Sequence, residues 1–109
     1  MRQLKFRQFC SDEDTVDYGM HFVDPYRKTL VLDGGWHTMQ FAGLLDKNGK
    51  EIYEGDVVQF EYQNGGGLTP DARAEVTFSL GAFNVWGDRL SDYFVEVVGN
   101  IYENPELLT

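Results

Sequence analysis

The sequence holds one cysteine, Cys10, two histidines and three prolines, and no apolar run approaches the ~18 residues of a membrane-spanning helix. Each scarcity excludes something. A lone cysteine allows no intrachain disulfide, which fits a reducing cytosol. Cys10, His21 and His37 fall short of the roughly four ligands of a structural zinc site, and no HExxH-like spacing offers a catalytic one. No apolar segment follows the early bases Arg2, Lys5 and Arg7, so no signal peptide is expected. GxSxG, P-loop and GxGxxG patterns are missing; Gly65-Gly66-Gly67 lacks the lysine and the following helix that phosphate binding requires. Bases are scarce in one half only. Residues 51–109 carry Arg73 and Arg89 against eleven acids, whereas residues 1–50 balance seven bases with seven acids. The net charge of −9 therefore sits in the second half. Such a surface repels phosphate backbones; it suits a basic partner or serves solubility.

What the chain has is aromatic and turn-rich. Eight Phe, six Tyr and two Trp favour strand over helix, and twelve Gly supply tight turns. In RQLKFRQF, Leu4 and Phe6 alternate with Lys5 and Arg7, which predicts a half-buried first strand with the bases outward. An acidic loop, SDEDTVD, follows, then a break at Asp24-Pro25 and a short strand over 29–32. Asp33-Gly34-Gly35 is expected to turn the chain into 36–41. Asn48-Gly49 predicts a type I′ hairpin, and Gly55-Asp56 a second turn in which Gly55 takes a positive φ and Asp56 bonds the turn backbone. Beyond it, Val58, Phe60 and Tyr62 point inward and Gln59 and Glu61 outward. Residues 63–73, QNGGGLTPDAR, are expected to form a flexible loop. Ala74, Val76, Phe78 and Leu80 then share an inward face, Gly81 and Gly87-Asp88 turn the chain, and Val95, Val97 and Ile101 face opposite Glu96 and Asn100. Gly99 in mid-strand predicts a bulge or a close backbone approach. Asn104-Pro105 opens at most one short helical turn. About seven short strands in a single domain over 1–109 predict a mainly β fold, a small SH3-like barrel or a compact β-sandwich.

Two blocks, MQFAGLLDKNGKEIYEGDVV at 39–58 and VEVVGNIYENPELL at 95–108, together with the MRQLKFR start, resemble the YopX family of small phage and prophage proteins. The resemblance covers both ends and the middle, roughly two-fifths of the chain. It implies a mainly β, phage-encoded protein acting in the bacterial cytoplasm, and it brings no catalytic residues to carry over. Ala42 and Leu45 depart from the pattern, which more often has a hydroxyl or polar residue near that glycine.

The residues themselves offer little catalysis. The run Asp46–Glu51 fails as a calcium loop, since Gly falls at position 4, Lys at 5 and Val57 at 12. Cys10 reads as a small hydrophobe rather than a nucleophile paired with either histidine. Glu54 and Asp56 flank a turn and read as solvated; a general acid would need one of them buried with a raised pKa. No cofactor or metal is expected. Aromatics are the better lead: Trp36, Tyr53, Trp86, Tyr93 and Tyr102 are amphipathic, of the kind that dominates interfaces. With Glu54, Asp56 and Glu103 they form the expected partner-binding set. The leading reading is a non-enzymatic protein–protein interaction module that self-associates or binds a host protein. In a sharper form, Glu51, Glu54, Asp56, Glu61, Glu96 and Glu103 share one elongated face and imitate DNA. The alternative is a single-strand nucleic-acid binder, whose groove only Arg2, Lys5, Arg7, Arg27 and Lys28 could build.

Overall fold

Alternation along the chain becomes ten strands in the computed structural model, which describes residues 5–23, 30–31 and 34–108, apart from the side chain of Asn64. β1 (Phe6–Cys10), β2 (Gly19–Val23), β3 (Trp36–Leu45) and β4 (Glu51–Tyr53) form one sheet in the order β2-β1-β3-β4. β5 (Asp56–Asn64) pairs with β6 (Gly67–Glu75), and β7 (Thr77–Ser79), β8 (Ala82–Val85) and β9 (Asp88–Arg89) make a third small sheet. β10 (Glu96–Asn100) returns to the free side of β5. All pairings are antiparallel, and the fold is the mainly β one expected, a curled half-barrel. Among the described residues, 3₁₀ turns at Leu90–Asp92 and Pro105–Leu108 interrupt it, the second where the Asn104-Pro105 signal placed it.

β5 lies at the centre of the core. Val57 and Val58 are both fully buried, because β5 is covered on both faces; Ile52, Ala74, Val76, Val85 and Leu90 close around it. The Gly55 turn ties the sheets together. Gly55 takes φ +86, its N–H donates to the Val76 carbonyl at 2.8 Å and its carbonyl accepts from Ile101 at 2.9 Å. A Cβ there would come 3.1 Å from Met39 Sδ, so only glycine fits easily. Gly99 makes both the bulge and the close approach expected of it: β10 shifts register between Val97 and Gly99, and a Cβ would lie 2.6 Å from Asn104 Oδ1 and from Leu107 Cδ1.

Several expectations need correction. β1 is a central strand, so Arg7 is buried rather than outward. The 46–50 turn is not type I′: only Gly49 (φ +84) has positive φ, and Gly49 N–H donates to the Asp46 carbonyl, a type I turn closed by a G1 bulge. The glycine-rich stretch is a hairpin, not a loop. Asn64 pairs with Gly67 across Gly65-Gly66, and Pro70 sits in a bulge of β6 between the Phe60–Ala72 and Tyr62–Thr69 pairs, where it interrupts no regular ladder. Phe78 and Leu80 face solvent, because β7 has left the β5–β6 sheet; Leu80-Gly81 is itself the turn into β8. The next turn is Trp86-Gly87, one residue earlier than expected. Asn100 is buried, bonding Glu103 Oε1 at 2.7 Å, and Ile101 lies past the end of β10. β2 was not among the expected strands. Of the strand expected over 29–32, Leu30 and Val31 are described and are not in a strand; Thr29 and Leu32, the break at 24–25, and Arg2, Leu4, Arg27, Lys28 and Asp33 lie outside the described residues.

Candidate functional site

The expected partner-binding residues divide into an interior group and two surface groups. Tyr53 and Asp56 are interior. Asp56 is 1% exposed; its Oδ1 accepts from Arg7 Nη2 at 2.6 Å and its Oδ2 from the Tyr53 N–H at 2.8 Å. Arg7 stacks over the Tyr53 ring at 4.6 Å. The solvated-turn expectation is thus overturned for Asp56: the chain needs a counter-charge for a buried arginine, and the turn supplies it. Burial pushes the Asp56 carboxyl upward, against the pull of Arg7 and the Tyr53 N–H, while burial and Glu51 push the Tyr53 phenol up to about 12. A buried carboxyl of this kind meets one condition for a general acid. Both of its oxygens are engaged by the protein, however, and its place is to hold Arg7.

Glu54, Tyr102 and Glu103 surround that interior. Glu54 Oε1 accepts from the Gln40 N–H at 3.3 Å, Tyr102 stacks on Phe9 at 5.2 Å and on His37 at 4.8 Å, and Glu103 is tied to Asn100. Trp36 lies elsewhere, 5.1 Å from the His21 ring. The row of six acids does not form: Asp56 is interior, Glu51 pairs with Lys5, and Glu96 pairs with Lys47 at 3.6 Å. The basic groove fares no better among the described residues, since Lys5 and Arg7 are each bound to an acid. Cys10 is buried, its Sγ 3.9 Å from Thr15 Oγ1.

Trp86 and Tyr93 do come together, and they bring aromatics that sequence reasoning missed. Trp86 meets Phe60 at 5.5 Å and Tyr62 at 4.9 Å, each edge to face, and Tyr93 lies 4.8 Å from Phe60. Phe94, next in the chain, is 79% exposed, and Trp86 is 53% exposed. Phe60, Tyr93 and Phe94 line one cleft of about 410 Å³ with Pro70 of the β6 bulge and the acids Glu61, Asp71 and Asp92. Tyr93 donates to Asp88 Oδ2 at 2.6 Å, and that bond pushes its pKa up to about 12. Tyr93 has extended backbone and its ring lies against Phe60, so Phe94, the next residue, points the opposite way; the sequence alone does not show that this second side is open.

The family model described as YopX protein matches residues 4–109. The chain belongs to the YopX family. Its fold is shared with protein EF1440 from Enterococcus faecalis, whose crystal structure superposes with a TM-score of 0.70 at 22% identity over 100% of both chains. At that identity the likeness speaks for the fold alone. A search of curated proteins gives no match. Within this YopX chain, no group of three or more His, Cys, Asp or Glu among the described residues could hold a metal ion, and no helix among them is long and apolar enough to cross a membrane.

Proposed function

We propose that this chain is a phage- or prophage-encoded module that acts in the bacterial cytoplasm without catalysis, by binding a basic protein through the Trp86–Phe94 surface. One observation carries the reading. Trp86 stays largely exposed on a cluster whose remaining rings, Phe60, Tyr62 and Tyr93, pack inward, and Phe94 stands exposed at the cleft that Phe60 and Tyr93 line. A large exposed indole backed by packed rings, with a second exposed ring nearby, matches the anatomy of an interface anchor. The surroundings set the partner's chemistry. Glu61, Asp71, Asp88 and Asp92 are exposed around the rings, while Lys47 is engaged with Glu96. Such a rim complements lysine and arginine, and arginine also stacks well on Trp and Tyr faces. A second copy of the same acidic surface would repel it, so a basic partner fits better than self-association through this face.

The test is a capture experiment from host lysate with the wild-type chain and the Trp86→Ala/Phe94→Ala double variant, with the bound proteins identified and the chain's mass in solution measured by light scattering. The expected result is a stoichiometric basic protein held by the wild type and lost by the variant, with a monomeric chain. Equal capture by both, or a dimer that the double variant dissolves, contradicts the reading.

A further inference from the structure

The cleft of about 410 Å³ beside the Trp86 cluster has two kinds of wall, and each limits what enters it. One is aromatic. The Phe60, Tyr93 and Phe94 rings line it, and Phe60 is also a ring on which Trp86 packs. The other is acidic: Glu61, Asp71 and Asp92 line the same space, and all three are exposed, so a ligand can reach them. Asp71 already accepts from Gln59 at 3.4 Å, but Glu61 and Asp92 have no hydrogen-bond or ion-pair partner among the described residues. The nearby bases are engaged with other groups. Lys47, which also lines the cleft, reaches Glu96 at 3.6 Å, and Arg73 donates to Gln59 Oε1 at 3.0 Å. Negative charge at this cleft therefore exceeds what the chain itself neutralises.

Rings with unneutralised acids beside them select a cation with a flat, weakly hydrated face. The Tyr93 phenol already registers the local charge: its bond to Asp88 first, and then the charges of Asp88 and Asp92, help to raise its pKa to about 12. A metal ion fits poorly, because no group of three or more acids among the described residues could hold one. A lysine ammonium keeps its water tightly and offers a ring no plane to stack on. A guanidinium stacks on aromatic faces and carries five donors, enough for carboxylates on more than one side of it. On the reading that this surface docks a basic protein, on which the inference rests, we propose that the cleft receives one arginine side chain of that partner, with Tyr93 and Phe94 meeting the guanidinium and Glu61 and Asp92 supplying its counter-charge.

The ¹⁵N-labelled chain is titrated with short capped peptides that differ at a single residue: arginine, lysine, or citrulline, the uncharged analogue of arginine. The arginine peptide is expected to move the backbone signals of Glu61, Asp92 and Phe94 saturably at millimolar concentration, and less so in added salt. The lysine peptide binds about two- to fivefold more weakly, and the citrulline peptide leaves the signals in place. Glu61→Gln and Asp92→Asn each weaken arginine binding about two- to fivefold, as for exposed charges, and Phe94→Ala does so by a similar factor. All three positions are exposed, so the variants keep the fold. Lysine binding as tightly as arginine, citrulline binding at all, or no response to any peptide overturns the arginine site. Capture of the same basic lysate protein by wild type and by the Glu61→Gln/Asp92→Asn variant also overturns it, and leaves the Trp86 surface standing. Arginine binding by a chain that captures no basic protein upholds the cleft's chemistry and contradicts the docking reading alone.

Discussion

At the scale of single residues, the chain puts its strongest local constraints where side-chain type and backbone demand collide. Asp56 and Arg7 form a buried ion pair at 2.6 Å, so removing one charge strands the other in the interior. Asp56→Asn is expected to cost about 3–5 kcal/mol in urea unfolding, far more than a solvated turn acid would. Two bulky residues occupy left-handed backbone, Leu80 at φ 52 and Trp86 at φ 51, each followed by a glycine in a two-residue hairpin turn. Leu80 is fully exposed and gains nothing there, so Leu80→Gly should stabilise the fold by roughly 0.5–1 kcal/mol, read as a raised urea midpoint with unchanged slope. Trp86 differs because its ring rests on Phe60 and Tyr62, contacts that offset the strain and hold the indole at the surface. Sequence reasoning read the side chains well and the backbone poorly at these points. Asn48-Gly49 and Gly55 announced their turns, whereas no propensity rule would put tryptophan or leucine at positive φ.

At the scale of elements, the hairpin after β3 is fastened to β10 by one carboxylate. Asp46 accepts the N–H groups of Asn48 and Lys50 on one oxygen and that of Val97, from β10, on the other, at 2.8–2.9 Å. Burial alone would raise its pKa, but these bonds outweigh it and hold the carboxyl below its ordinary value. A folded pKa below the unfolded one gives stability that is present above the unfolded pKa and lost as pH falls through the folded value. Asp46→Asn is therefore expected to lower stability by about 1–2 kcal/mol at neutral pH, with the gap to wild type closing below about pH 4. Thermal melts across that range would check it, and a gap independent of pH would contradict it. Strand existence was legible wherever apolar residues alternated, as at Val58 and Phe60 or Ala74 and Val76. It failed for β2 and for Arg7 because sheet order is not written in a local pattern: a strand flanked on both sides buries residues that an edge strand would show. The 63–73 segment failed for another reason. Three glycines read as entropy cost, yet two of them form the turn of a hairpin whose remaining residues pair in register.

At the scale of the whole molecule, the six acids expected to form one row do not do so. Asp56 is interior, Glu51 and Glu96 are paired with lysines, and the exposed acids Glu61, Asp71 and Asp92 line the aromatic cleft. The candidate surface was half legible. Trp86 and Tyr93 stood out as surplus aromatics, but Phe94 and the supporting Phe60 and Tyr62 emerged only once the short β8–β9 hairpin was seen folded against β5. The account rests on Trp86 being an open anchor for a basic partner and not for a second copy. Acrylamide quenching of Trp86 fluorescence, in a Trp36→Phe background that leaves it the sole tryptophan, measures this most directly. Quenching should be strong and independent of the chain's own concentration, and it should fall when the basic protein fraction of a host lysate is added. Quenching that falls with the chain's own concentration, or that ignores the basic fraction, would contradict the account.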